Sequence, residues 1–157
     1  MANLTLESGK YFISSFADTR VGRFWAEDFS MGPKPVVFLP EGLQAPDGFS
    51  PVWEIEKKDG GYILKIGGNH TAVIDDKVFA ILLEGDAGPP AVEWVIVRRP
   101  EQGPDVYSIE VRDTGRGWVA LGNIPMTQVA VHPHIVLASF PPQFPLGQLF
   151  KITPANE

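Results

Sequence analysis

The chain contains no cysteine. Disulfide staples, thiolate chemistry and cysteine-based zinc sites are excluded, and the core alone must hold the fold. No apolar stretch approaches the roughly 18 residues that a membrane helix needs. Positive charge is scarce: 13 Lys and Arg stand against 19 Asp and Glu, a net charge of −6. Such a chain lacks the basic face that grips nucleic acid and is not drawn to an anionic membrane. The opening "MANLTLESGK" has no basic region followed by an apolar run, so no secretory leader is expected, and a cytoplasmic location is. Helical periodicity is almost absent as well.

What is present is turn chemistry and short apolar runs. The 157 residues include 16 Gly and 15 Pro, and 44% are hydrophobic, which suits a globular all-β domain. The runs repeat. "GKYFI" (9–13), "GGYIL" (60–64) and "PDVYSI" (104–109) place Tyr11, Tyr62 and Tyr107 at a period of about 50 residues. A Gly-led second strand follows each: "VGRFWAE" (21–27), "GGNHTAVI" (67–74) and "GRGWVAL" (115–121). Third strands are expected at 36–40, 78–84 and 127–133. The closing strands are "PVWEIEK" (51–57), "EWVIVRR" (93–99) and "QLFKITP" (148–154), with Trp53, Trp94 and Phe150 as their aromatics.

Three units of four short strands predict a β-trefoil, with six strands in a closed barrel and six in a hairpin cap. One domain over 1–157 is expected, with repeats at about 9–57, 60–99 and 104–154. No single copy can bury its apolar face, so the three must pack about a pseudo-threefold axis. Alternation assigns Tyr11, Ile13, Trp53, Ile55, Tyr62, Leu64, Trp94, Ile96, Phe150 and Ile152 to the interior. An irregular β-sandwich would leave the threefold pattern unexplained.

Chemistry is sparse. No phosphate-cradling loop opens a helix, and no "GxSxG" elbow occurs. "HPH" sets His132 and His134 on one strand face, without an evident third ligand, so neither a metal nor another cofactor is expected. Glu27 and Asp28 are adjacent, and adjacent strand residues face opposite ways, which disfavours an acid/base pair. An enzyme is therefore not expected.

Interest falls on the connections. Between second and third strands, repeat two has the tight turn Asp75-Asp76 and repeat three has "GNIPM" (122–126). Repeat one has a longer stretch: Glu27, Asp28, Phe29, Ser30, Met31, Gly32, Pro33, Lys34 and Pro35. Two large apolar side chains stand among turn formers. Pro33 and Pro35 stiffen the exit and reduce the entropy lost on docking. A rigid loop with one bulky side chain suits a substrate-like protease inhibitor, whose backbone pairs with the enzyme's strand edge. The competing reading folds Phe29 and Met31 back onto the base of the trefoil.

"LESGKYFI" (6–13), "VGRFWAEDFSMGPKPVV" (21–37), "WEIEKKDGGYIL" (53–64), "KVFAIL" (77–82), "GRGWVAL" (115–121) and "FPLGQLFKI" (144–152) carry a resemblance that spans nearly the whole chain. It resembles the cospin-like serine protease inhibitors of mushrooms, which are β-trefoils. The resemblance implies a fungal defence protein that binds a serine endopeptidase through the same first-repeat loop. Relatives are associated with a basic residue after "AED", suited to trypsin, where this chain has Phe29. Residues 27–34 then form the protease-binding loop and Phe29 is the primary specificity residue, with chymotrypsin-like preference over trypsin-like. Arg20, Arg23, Lys57, Lys58 and Arg116 are less well framed basic alternatives, and Lys34 is followed by Pro35. A monomer is expected. Two other functions stay open: a carbohydrate-binding lectin, on the "QLF" element of repeat three, and inhibition of cysteine proteases.

Overall fold

Period-two alternation of apolar residues between turn formers produces strands, and strands are what form. The computed structural model describes residues 6–15, 20–23, 34–38, 52–58, 61–66, 69–81, 92–99, 102–112, 114–120, 127–133 and 146–155. Twelve strands run through them: β1 (Gly9–Ser15), β2 (Val21–Arg23), β3 (Lys34–Phe38), β4 (Val52–Lys58), β5 (Gly61–Ile66) and β6 (Asn69–Ile74), then β7 (Lys77–Ala80), β8 (Trp94–Arg98), β9 (Val106–Val111), β10 (Arg116–Val119), β11 (Ala130–Pro133) and β12 (Phe150–Pro154).

Six of them close a ring. β1 pairs with β4, β4 with β5, β5 with β8, β8 with β9, β9 with β12, and β12 with β1, all antiparallel. The other six form hairpins, β2–β3, β6–β7 and β10–β11. The hairpins also meet one another in a cycle: Lys34 faces Ala80, Lys77 faces Ala130, and Gln128 bridges to Val37. The arrangement is a β-trefoil.

The register shows why three copies are needed. Tyr11 faces Trp53, Tyr62 faces Trp94 and Tyr107 faces Phe150. Ile55 faces Leu64, Ile96 faces Ile109 and Ile152 faces Ile13, all six buried. Each fully buried side chain of this size is worth about 1.5–3 kcal/mol, and the inward set comes from all three copies. Tyr11 is only partly buried and packs against this core.

One side chain breaks the symmetry. Trp118 of β10 faces Val131, in the register that sets Val21 against Phe38 and Thr71 against Ala80. Val21 and Thr71 are small; the indole at the third position fills the centre. Its ring lies 5.6 Å from Trp53, 5.7 Å from Trp94 and 5.6 Å from Phe150, centroid to centroid, tilted or edge-on. These are the preferred tilted aromatic geometries.

The closing tryptophans also spend their N–H groups. Trp53 donates to the carbonyl of Val21 (2.9 Å), and Trp94 donates to the hydroxyl of Thr71 (2.9 Å), which itself donates to the carbonyl of Leu64 (3.0 Å). Ahead of β1, the Tyr62 hydroxyl accepts from the Leu6 N–H (2.8 Å) and donates to its carbonyl (3.1 Å). Tyr11 donates to the carbonyl of Glu7 (2.8 Å).

The crossing of β5 and β8 leaves no room at Gly61. A Cβ there would stand 2.9 Å from the backbone oxygen of Trp94. Gly61→Ala should therefore cost about 1–3 kcal/mol, as overpacking does. Urea unfolding of the two proteins measures it, and an unchanged midpoint would show that the strands part freely.

Candidate functional site

The connection between β2 and β3 is framed by its two legs. On one edge of β3, Val21 faces Phe38, Gly22 faces Val37 and Arg23 faces Val36. On the other edge, Val129 N–H donates to the Val36 carbonyl (2.9 Å) and Phe38 N–H to the Thr127 carbonyl (2.9 Å). Beyond the last β2 pair, β3 continues for two residues alongside β7, with Pro35 facing Phe79 and Lys34 facing Ala80. The descending leg is thus held by the hairpin of the second repeat. Pro35 lies past the β2 ladder, which does not need the N–H that proline lacks.

Lys34 is the eighth of the expected loop residues, and it lies inside the strand instead. It is buried, and β3 runs 34–38 where the sequence reading began it at residue 36. The cause is the pairing with β7, a long-range contact that local sequence does not announce. The other seven, Glu27, Asp28, Phe29, Ser30, Met31, Gly32 and Pro33, lie outside the described residues, as do Trp25 and His134.

The equivalent connections differ. The cyclic pairing of the hairpins makes Val36, Val78 and Val129 counterparts, all three buried. From Val21 to Val36 the chain is longer than from Trp118 to Val129, and Thr71 to Val78 is shortest. The short one is a two-residue turn with Asp75 at φ 52° and Asp76 at φ 61°, which matches the mirror-image turn that strand twist favours.

Several of the described basic residues are engaged locally. The Arg20 guanidinium sits 3.8 Å over the Phe12 ring. Lys57 pairs with Glu7 (3.6 Å), and Lys58 and Lys65 pair with Glu56. Arg116 bonds the Asp76 carboxylate at the tip of the neighbouring hairpin and the carbonyl of Val131 (3.0 Å). Hydrogen bonding by Arg116, then its charge, holds the Asp76 carboxyl below its usual pKa, with a smaller pull from His132. A depressed folded-state pKa stabilises the fold above the unfolded-state value and stops doing so as pH falls through the folded one. Asp76→Asn keeps a residue type that tolerates positive φ. It should lower stability at neutral pH, and the difference from the parent should fade toward about pH 2, below the carboxylate range. Denaturation at the two pH values checks it; an equal deficit at both would locate the effect in the turn backbone.

Elsewhere the elements of the other readings are structural. Gln148, Leu149 and Phe150, the "QLF" element, are all buried in the core. His70 lies on β6 opposite Lys65, and His132 on β11 opposite Gly117. Among the described residues no three His, Asp or Glu side chains cluster as a metal site would require.

The sequence matches the profile of peptidase inhibitor I66 over residues 4–154. The chain belongs to the peptidase inhibitor I66 family. A relative in Lentinula edodes, described as a serine protease inhibitor, is 38% identical over 148 residues, which is 94% of this chain and 97% of that protein. A proteinase inhibitor from Coprinopsis cinerea superposes with a TM-score of 0.83 at 32% identity, covering 96% of this chain and 100% of that one. The activity of the I66 family is protease inhibition, so the chain is an inhibitor and not an enzyme. A ricin B-like lectin from Macrolepiota procera superposes with a TM-score of 0.64 at 16% identity, over 97% of this chain and 99% of the lectin. That likeness speaks for the fold alone.

Proposed function

We propose that residues 27–34 act as a substrate-like reactive loop and that Phe29 enters the primary specificity pocket of a chymotrypsin-like serine endopeptidase. The observation that carries the proposal is the frame: this connection, longer than its two counterparts, runs from β2 into β3, and β3 is held by β2, β7 and the segment leading into β11. A loop with fixed ends loses little entropy on docking and resists the motion that turnover requires. Family membership supplies the partner class. Ser30 follows Phe29, and Asp28, Met31 and Gly32 extend the contact. Glu27 and Pro33 complete the proposed loop, and Lys34 ends it from within β3. An aromatic fills an apolar pocket and leaves an acidic pocket base unpaired, so trypsin is the poorer target.

Inhibition constants against chymotrypsin, trypsin, elastase, subtilisin and papain test this. Tightest inhibition of chymotrypsin is expected. Equal or better inhibition of trypsin would move the site to a basic residue, and inhibition of papain alone would move it to another protease class.

A further inference from the structure

We propose that Trp53 is a positioning residue for the reactive loop, acting through its indole N–H on the carbonyl of Val21. The inference rests on the loop reading given above. Two observations carry it.

First, β2 is the strand that leads toward the proposed loop. Among the described residues, Val21, Gly22 and Arg23 are laddered to β3, and an isolated bridge from Ser14 to Arg20 ties the start of β2 to β1. Gly22, in the middle of these three, adds no side-chain packing.

Second, the three closing aromatics treat their second strands differently. Trp53 bonds main chain, at Val21, the first residue of β2. Trp94 bonds a side chain, the Thr71 hydroxyl, and leaves the backbone of β6 to its ladders. Phe150 has no N–H to give. The indole that holds backbone therefore occurs in the repeat whose second strand leads to the proposed site. Both groups of that bond are buried, where water does not compete for it. Rotation of β2 out of register would have to break it, so the bond fixes the direction in which the chain enters residue 24.

The pseudo-symmetry supplies the control. Trp53→Phe and Trp94→Phe remove one indole each from equivalent core positions, both in contact with Trp118. The two should lose similar thermal stability. Trp53→Phe alone should raise the chymotrypsin inhibition constant, by about fivefold if the loss is that of one ordinary hydrogen bond. It should also speed cleavage of the inhibitor by the protease. Replacing Trp53 with 3-benzothienylalanine, which puts sulfur in place of the N–H at nearly constant volume, keeps the test open if Trp53→Phe folds poorly. That variant should also speed hydrogen exchange at the amides of Gly22 and Arg23.

Equal shifts in inhibition for the Trp53 and Trp94 variants, or unaltered inhibition and exchange with benzothienylalanine, would overturn the proposal. Failure of the loop reading looks different: Phe29→Ala would then inhibit as well as the parent. In that case the exchange of Gly22 and Arg23 still decides whether the indole holds β2.

Discussion

Trp118→Ala should destabilise the protein by about 3–5 kcal/mol, the range for removing a large aromatic from a packed core. Total stabilities of such domains are about 5–15 kcal/mol, so this one change removes a large share. The reason is position. Trp118 is fully buried and touches Trp53, Trp94 and Phe150, one aromatic from the closing strand of each repeat. Each of those three strands also carries the ladder that ties its repeat to the next. The cavity left by alanine would be walled by all three repeats, and relaxation of one wall strains the ladders of the others. Collapse is therefore incomplete and the cavity term stays large. Trp118→Phe should cost less, because a ring remains to meet the three neighbours. Urea unfolding gives both values. A loss below about 1 kcal/mol for alanine would mean that the centre repacks, and the account of Trp118 as the shared contact would be wrong.

Phe29→Ala should weaken chymotrypsin inhibition by at least about 2 kcal/mol, or roughly thirtyfold, as truncation of a central anchor does. Stability should hardly change, since the residue is proposed to face the partner. Phe29→Arg should improve trypsin inhibition while reducing that of chymotrypsin, because a guanidinium pairs with a buried pocket carboxylate and is poorly placed in an apolar slot. The reciprocal shift is the informative part. A variant that merely disorders the loop would weaken both. If Phe29→Ala inhibits chymotrypsin as strongly as the parent, the specificity residue lies elsewhere in the chain. If it loses thermal stability as well, Phe29 packs on the trefoil, which is the competing reading of this stretch.

The strand pattern was legible in the sequence. Tyr11, Tyr62 and Tyr107 marked the opening strands, and Trp53, Trp94 and Phe150 the closing ones; all six lie in barrel strands that pair as the threefold requires. The Asp75-Asp76 turn was legible for the same reason, since a two-residue hairpin is a local event. The unusual length of the first connection could be read by comparing copies. Its legs could not. Lys34 and Pro35 read as loop because proline is uncommon in strands, yet they extend β3 alongside β7, a strand more than forty residues away in the chain.

By itself the sequence determined the class of fold, the threefold repetition and the identity of the odd connection. These depend on alternation, turn chemistry and length, which are local properties carried by neighbouring residues. Only the tertiary structure decided which residue stands at the centre. "GRFW" and "GRGW" look like counterparts and would align Trp25 with Trp118. The ladders instead align Trp118 with Val21 and Thr71, because Val131, Phe38 and Ala80 face them in the same register. The same long-range register brings the Trp53 indole to the carbonyl of Val21. Register is set by hydrogen bonds between segments far apart in sequence and by which side chains can share one interior. No stretch of sequence read alone contains that information.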